Sequence, residues 1–269
     1  MIDLHIHTKY SDGEYDEEKI IKLIKNAGIK EFAICDHDTI IGSNKVYQKL
    51  KENNENLIFH SGVEFSCCAK DYNTPINCHL LVRDFDYNDE IINLLIKEGS
   101  KLRKLKIERM IELVKLAYSI EIKQSEVNKV LKNTDSFGKP HMYKILCKYG
   151  EFDREEYYAC MDKLNTSDLK LSAEKVLKLL KNSKANVTLA HPIEIKKEHN
   201  LNYIEIDRFI EYLKNLGLQG VETYHSSHSD VDCLILEMIS DSYNLFKTAG
   251  SDYHGPKVKP DVKLGQISS

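Results

Sequence analysis

No apolar stretch in this sequence approaches the roughly 18–20 residues that cross a bilayer. Nothing near Met1 resembles a signal peptide: the chain runs straight into a short apolar segment carrying Asp3 and His5. The expectation is a soluble, cytoplasmic protein with no membrane partner. Seven cysteines (35, 67, 68, 78, 147, 160, 233) show no C-x-x-C spacing, and their number is odd. They read as reduced, mostly buried small hydrophobes rather than a disulfide frame or a zinc knuckle. A basic excess is missing too, since the net charge of -4 gives no footing for duplex nucleic acid. Tandem repeats, low-complexity tracts, flexible linkers, Gly-rich phosphate loops and serine-nucleophile motifs are all absent.

What remains is a 269-residue chain, 42% hydrophobic and 30% charged, long enough for one large domain with an insertion. Apolar runs of strand type occupy residues 2–6, 32–35, 57–63, 76–82, 187–190, 220–224 and 246–249. Helix-type segments separate many of them; residues 17–27 set Ile20, Ile21, Leu23 and Ile24 on one side and stop at Gly28. Residues 173–180, 205–216 and 231–240 have similar periodicity. The alternation predicts an α/β fold with a mainly parallel sheet, and closure into a barrel is plausible. Seven runs rather than eight predict an irregular barrel. Residues 84–171 break the rhythm with a long helical stretch (89–118) and shorter helical segments. They read as a helical insertion into a barrel formed by residues 1–83 and 172–269. Residues 97–123 carry eight Lys/Arg against four Glu, by default a solvated face. The functional alternative is that Arg103 or Arg109 reaches over the rim toward an anionic substrate.

Metal-binding residue types gather at the ends of these runs, with His79 alone lying within one. His5 and His7 open the chain as H-x-H, and Asp252 and His254 nearly close it as D-x-H. Residues i and i+2 of a strand point to one side, so each pair can present two ligands to one pocket. Between them come Asp12, His37, Glu64, His79 and His191. A lone histidine after a strand is usually a satisfied structural residue, and His60 and His199 stay in that class. Asp12 can be a turn residue, and Asp36 and Asp38 can orient the His37 ring without binding metal. Imidazole with carboxylate suits manganese, zinc or iron better than magnesium or calcium. Nine ligands exceed the needs of one ion and imply two or three, with Glu64 as the natural bridge. Clustered cations acidify a bound water to roughly pKa 7 and screen phosphate oxygens, so phosphoester hydrolysis by a bridging hydroxide needs no nucleophilic side chain.

Together, Asp3-Leu4-His5-Ile6-His7-Thr8 with Ser11-Asp12-Gly13, Asp36-His37-Asp38-Thr39, Gly62-Val63-Glu64, His79, Ala190-His191-Pro192 and Gly250-Ser251-Asp252-Tyr253-His254 resemble the PHP (polymerase and histidinol phosphatase) family. The resemblance implies a distorted (β/α)7 barrel with a trinuclear site at its rim, manganese being the leading metal. His5, His7, Glu64 and Asp252 would hold one ion, Glu64, His79 and His191 a second, and Asp12, His37 and His254 a third. Glu64, Asp252 and His191 are the positions expected to carry the chemistry. Gly138-Lys139-Pro140-His141 resembles the G-R-P-H segment of family members acting on nucleotides, with Lys139 in place of the usual Arg. It makes Lys139 and His141 candidates for substrate binding, and the segment beyond the sixth strand adds His225 and His228. The expected reaction is loss of the 3'-phosphate from a nucleoside 3',5'-bisphosphate. Exonuclease action on a short oligonucleotide, histidinol-phosphate hydrolysis and a silent metal-binding domain are the alternatives.

Overall fold

The computed structural model describes residues 1–132, 134 and 137–267. Its strands are β1 (Ile2–Ile6), β2 (Glu31–Ile34), β3 (Ile58–His60), β4 (Gly62–Ala69), β5 (Ile76–Arg83), β6 (Leu171–Ser172), β7 (Asn186–Leu189), β8 (Gly220–His225) and β9 (Phe246–Gly250). Helices α1 (Glu17–Asn26) and α2 (Ile41–Glu52) follow the first two strands, and α3 (Glu90–Tyr118) follows β5. Next come α4 (Gln124–Leu131), α5 (Lys139–Leu146), α6 (Arg154–Asp162), α7 (Ala173–Leu180), α8 (Pro192–Glu198), α9 (Tyr203–Leu216) and α10 (Asp230–Ser242).

The strands form two sheets, β1-β2-β3 and β6-β4-β5-β7-β8-β9. Two seams join them. Beyond β1, the His7 N–H donates to the Tyr253 carbonyl at 2.9 Å and the Asp252 N–H to the His5 carbonyl at 2.8 Å. Beyond β2, the Asp38 N–H donates to the Glu64 carbonyl at 2.9 Å and the Glu64 N–H to the Asp36 carbonyl at 3.1 Å. Strands β3 and β4 are one extended segment broken at Ser61, and the two-residue β6 lies outside the ring at the edge of β4, so the wall is a distorted barrel of seven staves.

The sheet is less uniformly parallel than the alternation predicts, because β5 runs antiparallel to both β4 and β7. Hydrophobic alternation reports which face is buried and says nothing of strand direction. The apolar run at 57–63 splits, and its second half belongs to a strand that continues to Ala69. Helices α2 and α8 occupy stretches where no helix was expected. Along β4, Val63, Phe65 and Cys67 face the outer core while Glu64 and Ser66 face the mouth; along β5, Cys78, Leu80 and Val82 do the same opposite Asn77 and His79. Helices α3 to α6 pack around a separate apolar cluster that includes Met110, Val114, Phe137, Met142, Tyr157 and Met161. Helix starts are capped as the sequence allows: Asp16 accepts from the Lys19 N–H, and Asn202 and Glu205 cap each other. No described helix is long and apolar enough to cross a membrane.

Candidate metal centre

The nine residues converge on one mouth of the barrel. His5 is on β1 and His7 follows it; His37 follows β2, His191 follows β7, and Asp252 and His254 follow β9. Glu64 and His79 come from within β4 and β5, so Glu64 is not at a strand end as the run at 57–63 implied. It reaches rim level because β4 starts late, pairing at Glu64 with His37 beyond the end of β2. Two exits bend sharply: His191 has φ 27° and Asp252 φ 55°, both in the left-handed region that non-glycine residues seldom adopt. Such positions persist where the surroundings enforce them, and here they turn the side chains into the mouth.

Donors about 2.1 Å from a common cation stand roughly 3.0–3.4 Å apart. His5 Nε2 and His7 Nε2 are 3.1 Å apart; they lie 3.4 and 3.2 Å from Glu64 Oε2, and 3.5 and 3.2 Å from Asp252 Oδ1. The other Glu64 oxygen, Oε1, lies 2.9 Å from His79 Nδ1 and 3.1 Å from His191 Nε2. A third group sets Asp12 Oδ1 3.2 Å from His254 Nε2, and Asp12 Oδ2 3.7 Å from His37 Nε2. Glu64 Oε2 and His37 Nδ1 are 2.9 Å apart and buried, yet neither makes a hydrogen bond; Asp12 Oδ1 is similarly unpartnered. Buried, unpartnered donor atoms in a cluster of this chemistry fit a site for divalent ions.

The electrostatics agree. Burial opposes charge on every carboxylate here, but His37 and His79 hold Glu64 well below the usual range, and His254 and His37 do so for Asp12. Asp252 is likewise held down, by Lys259 and His254. Burial opposes charging of the imidazoles too, yet the Asp252 and Glu64 carboxylates, each 3.2 Å from its Nε2, lift His7 to about 9, and Glu194 with Glu64 lifts His191 to about 9. His79 goes the other way, pushed by burial down to about 4. His5 is also raised well above its ordinary value, against burial, by Glu222 and Glu64, so positive charge on His5, His7 and His191 would offset the carboxylates of the metal-free chain.

A supporting layer surrounds the donors. Glu222, fully buried on β8, sits 3.0 Å from His5 Nδ1 through Oε1 and accepts the His191 N–H at 2.8 Å through Oε2. Lys259 pairs with Asp252 Oδ2, leaving Oδ1 toward His5 and His7. Asp3 accepts from the Ser251 N–H and hydroxyl at 2.9 and 2.6 Å, tying β1 to the D-x-H segment. Neither neighbour of His37 orients its ring. Asp36 accepts from Thr8 and Ser11, while Asp38 pairs with Arg103 and accepts the Ser66 N–H. None of Glu222, Lys259 and Asp3 stood out in the sequence as a site residue; the available signal for Glu222 was a carboxylate inside an apolar strand run. His60 lies between Glu31 and Asp84, and His199 accepts the Asn77 N–H, both apart from the donor groups.

A cavity of about 760 Å³ adjoins the cluster at Asp12, His37 and His79. Its wall includes Arg103, Lys106, Lys139 and Lys170. Two expected substrate residues, Arg103 and Lys139, therefore face it, although they also pair with Asp38 and Asp162. Four others have different positions. Arg109 makes a bidentate surface pair with Asp168 at 2.7–2.8 Å, outside the cavity wall. His141 uses Nδ1 to accept the Gly138 N–H at 3.1 Å, so its ring closes the start of α5. His225 is buried behind the donors against the His5 and His191 rings, with Ser227 on its Nδ1. His228 is buried further back and donates Nδ1–H to the Thr223 carbonyl at 3.0 Å.

The PHP domain model matches residues 3–217, most of the chain. The chain belongs to the PHP domain family. It is a metal-dependent phosphoesterase of that family, with several His/Asp/Glu groups able to hold ions. A curated relative from Eggerthella lenta, phosphoribosyl 1,2-cyclic phosphate 1,2-diphosphodiesterase, is 22% identical over 94% of both chains. A crystal structure from Bifidobacterium adolescentis, regarded as a metal-dependent phosphoesterase, superposes with a TM-score of 0.82 at 25% identity, covering 99% of this chain and 91% of that one. An amidohydrolase structure from Chromobacterium violaceum shares the fold at 20% identity and a TM-score of 0.78, covering 97% of this chain and 89% of that one.

Proposed function

We propose that this PHP enzyme removes a phosphomonoester from a small nucleotide, the 3'-phosphate of a nucleoside 3',5'-bisphosphate, at a trinuclear centre. His5, His7, Glu64 and Asp252 would hold one ion, Glu64, His79 and His191 another, and Asp12, His37 and His254 the third, with manganese as the leading metal. When bound, such ions supply a nucleophile at neutral pH and neutralise phosphate charge. The observation that carries the reading is the two-sided placement of Glu64, whose oxygens face different imidazole groups. A carboxylate so placed is suited to bridging. Asp12, His37 and His79 line the cavity, so the scissile phosphate arrives on that side of the cluster. Arg103 and Lys139 then neutralise charge that the cluster does not reach. Residues 84–171 act as a helical insertion that builds the opposite wall.

The test is phosphate release from adenosine 3',5'-bisphosphate with added Mn²⁺, alongside histidinol phosphate, a 5'-phosphorylated short RNA and the Glu64→Gln variant. Replacement of one bridging oxygen by an amide should lower turnover roughly 10²- to 10³-fold, on the order of removing a catalytic electrostatic group. Full activity in Glu64→Gln refutes the bridging role, and a preference for histidinol phosphate refutes the nucleotide assignment. The Eggerthella relative favours one further reading, hydrolysis of a cyclic phosphodiester on a sugar. A ribose cyclic phosphate in the same assay distinguishes it.

A further inference from the structure

We infer that Lys106 and Lys170 form a second anion-binding subsite in the cavity wall, which takes a phosphate of the substrate other than the one hydrolysed. The inference rests on the phosphoesterase reading above. Five basic side chains line this wall: Arg103 and Lys106 from α3, Lys139 from α5, Lys170 from the residue before β6, and the exposed Lys197 from α8. Two of them are already neutralised, Arg103 by Asp38 and Lys139 by Asp162. Lys106 and Lys170 have no carboxylate within 4.0 Å among the described residues. The acid facing Lys170 is Glu198, which accepts from the Asn77 side-chain amide at 3.0 Å and lies 3.8 Å from His199.

Both lysines border the same crevice beside Ser66 and Leu169, and Lys170 also borders His79, one of the metal donors. Unpaired ammonium groups held together in a semi-enclosed space repel each other and lose hydration. Burial, then the charges of Arg103, Lys170 and Lys139, press Lys106 down to about 7, and burial lowers Lys170. That unfavourable arrangement is relieved by an anion between them. A phosphate monoester, with about 1.5 to 2 negative charges at neutral pH and three acceptor oxygens, is the matching chemistry. The subsite therefore selects for a doubly phosphorylated small molecule.

The experiment uses the full chain loaded with Mn²⁺ and compares adenosine 3',5'-bisphosphate with adenosine 3'-monophosphate. These substrates share the scissile phosphate and differ by one remote phosphate. The wild type should favour the bisphosphate in kcat/KM, chiefly through KM. Lys106→Met and Lys170→Met should each reduce that preference by roughly 10-fold or more, the loss of one charge-assisted contact. Lys106→Arg should keep most of it, which separates the role of the charge from damage to the fold. A wild type with no preference, or a ratio unchanged within about threefold in both methionine variants, overturns the subsite while leaving the hydrolase reading intact. If the wild type hydrolyses neither ester, the nucleotide reading falls and the subsite with it.

Discussion

Glu222→Gln is the substitution whose consequence follows most directly from the geometry. The side chain keeps its size, so the barrel interior is not emptied, but one of two acceptor oxygens becomes a donor. In the native protein Oε1 faces His5 Nδ1 at 3.0 Å and Oε2 accepts the His191 N–H at 2.8 Å. Glutamine cannot satisfy both. If its oxygen stays with His5, its NH₂ meets the His191 N–H, donor against donor. If the amide flips, its NH₂ faces His5 Nδ1 and moves the ring proton to Nε2, the atom that points to Glu64 and Asp252. Either outcome loses one hydrogen bond to a charged group, about 1.5–3 kcal/mol. That corresponds to roughly 10- to 100-fold in affinity, the range found when the partner of a metal-bound histidine is removed.

The assay is calorimetric titration of the apoprotein with Mn²⁺, with far-UV circular dichroism and thermal melts as controls for folding. The expectation is weaker binding at the His5 position with secondary structure retained. Gly250→Ala should act at the same place, because its added methyl would collide with His5 and the Glu222 carboxylate. Unchanged Mn²⁺ affinity in both variants would show that Glu222 does not fix the His5 ring, and would remove the main structural argument for His5 as an Nε2 donor.

The remaining predictions concern protons, folding and Lys259. In EDTA, stability should fall as pH rises from about 6.5 through about 9, because His7 and His191 are protonated in the folded chain with pKa values near 9 and lose that stabilisation as they deprotonate. Metal binding has the opposite slope: Mn²⁺ must displace those protons, so affinity should rise between pH 6.5 and 9, as titrations at both ends would show. Asp38→Ala strands the buried Arg103 guanidinium and should cost roughly 3–5 kcal/mol by denaturant unfolding, whereas Arg109→Ala at the exposed Asp168 pair should shift the midpoint far less. Lys259→Met removes the cation that engages Asp252 Oδ2 and leaves that buried carboxylate without its fixed counter-ion, so it should lower the melting temperature of the EDTA-treated protein as well as weaken Mn²⁺ binding.

The donors were legible because their signal is local. H-x-H and D-x-H each place two ligands on one side of a strand exit, and the apolar run before them marks the exit. His79 and Glu64 were harder for one reason: both sit inside longer strands of an antiparallel pair, where alternation gives the face and not the direction. The roles of the basic residues were not legible at all. Arg103 is matched to Asp38 across 65 positions, Arg109 to Asp168 across 59 and Lys139 to Asp162 across 23, so charge alone could not tell a substrate contact from a structural pair. His225 and His228 show the same limit from the other side. Their motif lies next to the donor cluster in the fold, but the end of β8 and the turn after it hold His225 and His228 behind that cluster, where each is buried against protein.

Why the fold tolerates so dense a cluster follows from its charge. Glu64 and Asp252 are buried together with Glu222, with Asp12 half-buried beside them, and that concentration of carboxylates would be prohibitive without cations. The chain supplies one fixed cation, Lys259, and imidazoles whose protons are exchangeable. Fixed charge at Asp252 Oδ2 orients the carboxylate, while exchangeable charge on His7 and His191 balances the cluster until divalent ions replace it. On the proposed ligand set, the same histidines would serve as counter-ions in the metal-free protein and as ligands in the loaded one. Neutral replacements such as His7→Gln should then destabilise the metal-free fold as well as weaken metal binding. A purely ligating role would produce only the second effect, and melting His7→Gln in EDTA at pH 7 separates the two.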